Sequence, residues 1–532
     1  MQTISAMSGS DAVFVPASRQ NQTSLQLWLG SAMLAGSLVA ALFALQGWQG
    51  LGLADEGFLW YGVQRTALGE VPIRDFIAYD PGRYYWSGLI AWLSGDSGIV
   101  TVRLAAALFQ WLGITAAFFL LWREKPRDYL VWCLAGLTLA VWMFPGHKLF
   151  DISISILLAL ALTLLAARPA PQRYVIAGFT VGLAALFGRN HGLYGGLGLG
   201  AVIVFLWVSA TPRTGVSLLK NFLLSGIGVT LGYAPVLVML LLIPGFAEAF
   251  WQSILFLLEI KATNLPLPVP WPWQVDFSQG SLLDALRRIL LGLFFLGLAA
   301  FAVMAPILVG LRSWRGQAVS PIQLAAAALA IPYAHFAFSR ADASHLAQGL
   351  FPALLGVLAA LAIARPLTRR LGATALCCAS FVLMLPHHPL WQCRAEAACI
   401  PTTIGSDTVQ VPRGTAEIIT ALQDLRAESG EPPKPVLVLP FWPGANAVLN
   451  QKGPVRATYA LFPRNHAFQQ SEIARIKAAA PKYAVLLDLP LDGRDDLRFR
   501  NTNPLIYRHI TQHFIRLPGD PRWPYIELFE AK

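Results

Sequence analysis

The chain has 532 residues, 55% of them hydrophobic and only 13% charged, with a mean hydropathy of +0.54. Soluble domains carry roughly a quarter charged residues, so composition excludes a soluble globular protein and gives an integral membrane protein. The formal net charge of +11 does not argue for nucleic acid. Lys and Arg outside the C-terminal third fall in short clusters between apolar runs, the pattern of membrane topology signals.

Met1 to Gln26 is polar and lacks a signal-peptide pattern, so residues 1–26 read as a cytoplasmic tail. The sequon Asn21-Gln22-Thr23 falls in that tail and carries no weight on the cytoplasmic side. The first apolar run, Leu27–Leu45, has no small-residue cleavage site behind it and is expected to stay as a membrane anchor. Ten further apolar runs follow: Ile99–Leu121, Tyr129–Phe144, Phe150–Ala167, Val175–Phe187, Leu193–Val208, Phe222–Ile243, Ile289–Leu311, Leu324–Phe338, Leu346–Ala364 and Leu371–Leu385. The expectation is a polytopic α-helical membrane protein with about eleven transmembrane helices over 27–385.

Every second connection is basic: Arg123 to Arg127, Arg168 with Arg173, Arg213 with Lys220, Arg312 with Arg315, and Arg365 with Arg369-Arg370. The positive-inside rule puts these in the cytoplasm, the N-terminus with them, and the segment after Leu385 outside. Two long outer loops are then expected, at 49–98 and 244–288. Arg287-Arg288 falls on the outer side, either because long loops obey the rule weakly or because it forms an anion site. The proline-rich run Leu265 to Trp273 cannot be helix interior; it reads as a lid over a lipid-facing cavity or as an interfacial linker.

From Pro386 the composition becomes that of a soluble domain, 386–532, expected to be a small α/β domain on the periplasmic side. Val436–Leu439 and Ala484–Leu487 read as buried strands, Ile418–Leu425 and Glu472–Ala480 as helices, and Phe514–Leu517 with Tyr525–Phe529 as a closing hairpin. Cys133, Cys377 and Cys378 lie in apolar spans and read as small core residues. His387, His388, Cys393 and Cys399 match no standard zinc spacing; a Cys393–Cys399 disulfide suits an oxidising compartment better.

Four polar clusters converge on the outer face of that topology. They are Asp55-Glu56 with Arg74-Asp75 and Asp80; His147-Lys148 with Asp151; Arg189-Asn190-His191; and Ser339-Arg340-Ala341-Asp342-Ala343-Ser344-His345. Each alone reads equally as a solvated turn, whereas the cytoplasmic turns hold almost only Lys and Arg. Glu56 reads either as functional or as an ion-pair partner of Arg65 or Arg74, Asp75 as the structural partner of Arg74, and Asp80 as a turn residue. Carboxylates can deprotonate a hydroxyl or hold a divalent metal, and Arg, Lys and His can neutralise a departing phosphate. Charges of both signs at a bilayer surface point to glycosyl transfer from a polyprenyl-linked sugar.

The run Ala54-Asp55-Glu56-Gly57, with Gly69-Glu70-Val71-Pro72-Ile73-Arg74-Asp75-Phe76 and Asp80-Pro81-Gly82-Arg83-Tyr84-Tyr85, resembles the first outer loop of the GT-C membrane glycosyltransferases, in the branch of protein O-mannosyltransferases and lipid A aminoarabinose transferases. Arg340 to Leu346, followed by Pro352, resembles a helix-end motif of bacterial members. The resemblance implies an inverting transferase of a bacterial inner membrane, acting on a polyprenyl-phosphate sugar donor and a glycan, lipid or protein acceptor. It assigns Asp55 as general base or metal-proximal acid, Glu56 as its support and Asp151 as a second acid. Arg74, Lys148, Arg189, His191, Arg340, Asp342 and His345 are the residues for substrate. No Asp-x-Asp motif is present to call for a metal, so a divalent cation is left open. Against this stand a flippase of lipid-linked glycans and a non-catalytic envelope scaffold.

Overall fold

The computed structural model describes residues 24–124, 128–210, 213–261, 264–393 and 399–532. The sequon, nearly all of the 1–26 tail and the Lys125-Pro126-Arg127 part of one basic cluster lie outside them. The chain divides into two compact units, one of Met1–Phe43, Ala106–Val238 and Thr263–His388, the other of Ala44–Ala105, Met239–Ala262 and Pro389–Lys532.

Fourteen principal helices precede the C-terminal region: α1 (Ser24–Gln46), α2 (Asp55–Ala67), α3 (Gly82–Ser94), α4 (Ile99–Glu124), α5 (Tyr129–Trp142), α6 (Leu149–Ala167), α7 (Pro171–Phe187), α8 (Arg189–Ser209), α9 (Gly215–Leu242), α10 (Phe246–Ile260), α11 (Leu282–Trp314), α12 (Pro321–Ser339), α13 (Ala343–Ala362) and α14 (Pro366–Met384). Among the described residues nine are long and apolar enough to cross a membrane: α1, α4, α6, α8, α9 and α11 to α14. The protein is thus a multi-pass membrane protein. The two runs that make up the difference from eleven do form helices, but α5 has 14 residues and α7 has 17. At 1.5 Å per residue they reach about 21 and about 26 Å, short of a hydrocarbon core of about 30 Å.

In the first unit α12 packs against α6, α8, α11 and α13, which explains an alanine-rich sequence buried along most of its length. Gly178 and Gly182 of α7 meet Gly228 and Gly232 of α9 backbone to backbone. A Cβ at Gly178 would lie 2.0 Å from the Ser225 carbonyl oxygen, and one at Gly228 2.1 Å from that of Val175. Small residues at four-residue spacing permit such an approach. The proline-rich segment lies against α11, where a Cβ on Gly292 would come 2.4 Å from the Pro270 carbonyl oxygen, and Trp271 stacks on Trp273 at 5.3 Å. α11 starts seven residues before the expected Ile289, on a Ser281–Asp284 capping box. Arg287 and Arg288 therefore belong to its first turns. Arg287 donates to Asp284 and the Val382 carbonyl, and Arg288 to the carbonyls of Asp276 and Gln279, contacts within the chain that count against the anion site.

The second unit joins the first expected loop to the C-terminal region, and that loop is largely helical, as α2 and α3. A four-stranded sheet of β3 (Val436–Leu439), β4 (Tyr483–Leu487), β5 (Phe514–Arg516) and β6 (Ile526–Ala531) has the order β3-β4-β6-β5, with β3 and β4 parallel and the rest antiparallel. β3 and β4 are buried at every residue, as their unbroken apolar sequences require. The helix His466–Ala479 makes the crossover between them, and the expected C-terminal hairpin is present. A further hairpin, β1 (Cys399–Ile404) with β2 (Asp407–Pro412), follows the Cys393–Cys399 disulfide.

Candidate active site

In the second unit the acid pair opens α2. Asp55 and Glu56 occupy its first turn, where the positive end of the helix dipole favours carboxylates. The two side chains then diverge. Glu56 accepts from Arg103 through both oxygens, from Nε at 2.7 Å and Nη2 at 2.9 Å, and from the Gly52 amide at 3.0 Å. Arg103 places its remaining donors on the carbonyls of Gly47, Gln49 and Gly50. All five guanidinium N–H groups are engaged, and Glu56 is the acid of a closed structural clamp. Its partner is neither Arg65 nor Arg74. Asp55 is exposed. One of its oxygens accepts from the Tyr459 hydroxyl at 3.1 Å; no described residue donates to the other.

Tyr459 is held there from below. Glu472, buried, accepts from the amides of Arg456 and Ala457 at 2.8 and 3.0 Å, and burial pushes its carboxyl above the usual range. The Ile77 amide donates to the Arg456 carbonyl, and the Gly453 amide to the Tyr61 hydroxyl. Burial raises the Tyr61 hydroxyl to about 12, so it stays a neutral phenol. Phe58 fills the angle between Tyr79, 4.9 Å away, and Tyr459, 5.5 Å away, and Arg83 covers the Tyr79 ring at 4.6 Å. α2 reaches the C-terminal segment closely because Gly57 and Gly444 meet without side chains, a Cβ on Gly57 falling 2.5 Å from the Gly444 Cα.

Arg74 forms a two-pronged pair with Asp75, both contacts at 2.8 Å, and donates to the Pro244 carbonyl. The hydrogen bonds from Arg74 hold the Asp75 carboxyl below its usual range. The structural reading of Asp75 therefore fits this geometry, and Arg74, expected to meet substrate, has a structural task. Arg65 pairs with Glu70 at 2.7 Å and Lys452 joins them at 2.8 Å. Asp80 is buried at 9% exposure.

The first unit holds the other expected residues. Asp151, in the first turn of α6, accepts from His191 Nε2 at 2.9 Å, and His191 Nδ1 lies 2.9 Å from the Tyr333 hydroxyl. The imidazole thus bridges the Asp151 carboxylate and the Tyr333 hydroxyl, one through each ring nitrogen. His191 is fully buried and Asp151 nearly so. At the end of α12, Arg340 donates to Asp342 at 2.9 Å and to the Leu265 carbonyl at 2.9 Å. Asp342 caps α13 by accepting the His345 amide at 2.8 Å and contacts His345 Nδ1 at 2.9 Å. Burial works against the ionised Asp342, but the bonds from His345 and the charge of Arg340 outweigh it and keep its pKa below the usual range. With Nδ1 turned to Asp342, His345 Nε2 is not part of that contact. Phe336 lies 6.0 Å from the His191 ring and 5.8 Å from that of His345, so Asp151, His191, Arg340, Asp342 and His345 form one continuous group. Lys148 ends the short 3₁₀ turn before α6, and Arg189 opens α8; both are half-buried.

Sequence reasoning missed Arg103, Tyr333 and Tyr459. A lone arginine in an apolar span is a signal that could have found Arg103; an ordinary tyrosine in a soluble segment gives none. Among the described residues no three His, Cys, Asp or Glu side chains stand together to hold a metal ion. At the acid pair both oxygens of Glu56 accept hydrogen bonds, whereas Asp55 has one oxygen that accepts from no described residue.

No family profile and no curated protein matches the chain. Solved structures do. ArnT from Cupriavidus metallidurans in the apo state aligns with a TM-score of 0.54 at 14% identity, over 95% of this chain and 98% of that one. The same protein bound to undecaprenyl phosphate gives 0.48 at 14% identity over 95% and 97%. The apo oligosaccharyltransferase of Archaeoglobus fulgidus gives 0.46 at 13% over 93% and 73%. The chain has, along nearly its whole length, a fold similar to that of ArnT from Cupriavidus metallidurans in the apo state.

Proposed function

We propose that this protein is an inverting glycosyltransferase that moves a sugar from a polyprenyl-phosphate donor to a glycan, lipid or protein acceptor. We place the reaction on the periplasmic face of a bacterial inner membrane, with the N-terminus in the cytoplasm. The observation that carries this reading is the division of labour in the acid pair: Glu56 is locked to Arg103, while Asp55 is exposed with one oxygen held by Tyr459 and the other available.

In the proposed step, Asp55 takes the proton of an acceptor hydroxyl. The acceptor oxygen attacks the anomeric carbon, the bond from that carbon to the phosphate oxygen breaks, and the electron pair leaves on the lipid phosphate. The charge that grows on the phosphate needs cations or N–H donors. Arg340, with its fork steered by Asp342, and His345 are given that task, with Lys148 and Arg189 beside them in sequence-based assignment. Asp151 and His191 are buried against Tyr333 and serve by position. No step is routed through a metal.

The test is mass spectrometry of envelope glycolipids and glycans from a deletion strain carrying wild-type protein, Asp55→Asn protein or none. General-base loss slows transfer by about 10²–10⁴-fold, so a sugar-sized mass should vanish in both the null and the variant. Loss in the null alone would remove Asp55 as base and bring a flippase or scaffold forward. Arg340→Ala should weaken apparent donor affinity; an unchanged affinity would count against its phosphate role.

A further inference from the structure

Away from Asp55, the second unit contains an arginine whose surroundings are built but whose donors are not used. The Arg464 guanidinium lies over Phe256 of α10 at 3.4 Å and over Phe468 at 4.4 Å. Two aromatic rings thus pack on the guanidinium. Among the described residues no acceptor takes a hydrogen bond from it and no carboxylate lies within ion-pair distance. Burial depresses its pKa to about 10, which still leaves it charged at neutral pH. An arginine half-buried without a hydrogen-bonded anion is costly, and with rings packed on the guanidinium its in-plane N–H donors are what it offers a ligand.

Two neighbours complete the surroundings. Asn465 caps the helix His466–Ala479 by accepting from the Phe468 amide at 3.0 Å, which fixes the amide group so that its NH₂ faces Glu259 at 3.4 and 3.5 Å. That arrangement keeps the Glu259 carboxylate near the guanidinium without joining it. Phe462 adds an aromatic surface, 6.2 Å from Phe256.

We propose that Arg464, Glu259 and Phe462 form a binding site for an acidic sugar, a ring bearing one carboxylate and free hydroxyls. The carboxylate meets the edge of Arg464 in the two-pronged geometry that a guanidinium offers. Hydroxyls donate to Glu259, and the apolar face of the ring lies on Phe462. A monoanion suits the site better than a phosphate dianion, because the site has a single arginine and Glu259 already offsets part of its charge. The proposal rests on the transferase reading only in making this sugar part of the acceptor; the binding is independent of turnover.

The test is saturation-transfer NMR on the full chain in nanodiscs, with D-glucuronate, D-glucose and acetate as probes. Glucuronate should give ring-proton transfer at least fivefold above glucose, and the dissociation constant should rise at least tenfold in Arg464→Gln. Glu259→Gln should weaken glucuronate relative to acetate, because it removes the acceptor for the ring hydroxyls and also the negative charge that opposes either carboxylate. Equal signals from glucose and glucuronate in the wild type would overturn the site without reference to any variant, as would an Arg464→Gln protein that binds like the wild type. Glucuronate binding without any transfer in the envelope assay would leave this site standing and remove the transferase reading; transfer without binding would do the reverse.

Discussion

Replacing Arg103 by Met should reveal how firmly the acid pair is divided. The substitution keeps much of the apolar stem and removes five hydrogen bonds, two to Glu56 and three to the carbonyls of Gly47, Gln49 and Gly50. Side-chain exposures of 14% for Arg103 and 19% for Glu56 place the pair between surface and core. Removing one partner of a fully buried pair costs about 3–5 kcal/mol; partial solvation of Glu56 and rewetting of the carbonyls reduce this to about 2–3 kcal/mol. For a unit of a few hundred residues, each kcal/mol moves the midpoint by about 2–4 °C, so a fall of about 4–12 °C is expected. Glu56→Gln keeps an oxygen for the Gly52 amide and one bond to Arg103, and should lose about 1.5–3 kcal/mol, the range of a hydrogen bond to a charged group. The assay is differential scanning fluorimetry in detergent at one fixed scan rate, because large membrane proteins rarely refold, with transfer measured on the same preparations. Arg103→Met unfolding at the wild-type temperature would refute the clamp. So would Glu56→Gln protein that stays folded at the assay temperature yet is as inactive as Asp55→Asn, since Glu56 would then act chemically.

Three further outcomes follow from the second unit. Gly57→Ala brings a methyl to 2.5 Å of the Gly444 Cα, backbone that cannot rotate away. Overpacking of this kind costs about 1–3 kcal/mol, and a variant with an unshifted unfolding midpoint would show that α2 and the Gly444 segment do not meet. Tyr459→Phe removes the bond to Asp55 while the ring stays against Phe58; turnover should drop by about tenfold, the equivalent of a bond of about 1.4 kcal/mol, with little change in thermal midpoint. Glu70 is held below its usual range because its bonds to Arg65 and Lys452 outweigh the opposing effect of burial. A depressed folded pKa gives stability that is complete above the unfolded value of about 4.3 and is lost as pH falls through the folded one. Thermal midpoints measured from pH 7 to pH 3 should therefore fall less steeply in Glu70→Gln than in the wild type, and parallel curves would exclude the pair as a source of acid sensitivity.

The sequence made the membrane-spanning class and the C-terminal strands legible for simple reasons. Apolar runs near twenty residues have few soluble alternatives, and Val436–Leu439 and Tyr483–Leu487 are too short and too uniformly apolar to be surface helices. α2 and α3 were less legible because Asp55–Ala67 and Gly82–Ser94 mix charges and aromatics, which reads as loop until packing partners are known. α2 hides eight consecutive residues, Gly57 to Gln64, against partners that include a segment near residue 450. Tertiary burial of that kind leaves no period in one strand of sequence. The same holds for roles: acid, basic and histidine clusters were visible as residue types, but which acid pairs with which base depended on side chains up to 404 positions apart, as for Tyr459 and Asp55.

The two groups of polar residues differ in how much of their chemistry is closed. Asp151, His191 and Tyr333 are joined inside the first unit: carboxylate, imidazole and phenol form a hydrogen-bonded chain. Such a chain fixes the first turns of α6 and α8 against α12 in one register, since no member can move without leaving a buried polar group unpaired. Arg340 and His345, by contrast, share Asp342 at the end of the same α12 and are 20% and 18% exposed. Phe336 is the mechanical link, in contact with the histidine of each group. On the proposed reading the closed chain supplies order and the open pair, Arg340 and His345, meets the donor. It follows that substitutions at His191 should act first on stability and those at His345 first on donor affinity, although both residues were singled out by the same sequence signal, a histidine at the end of an apolar span.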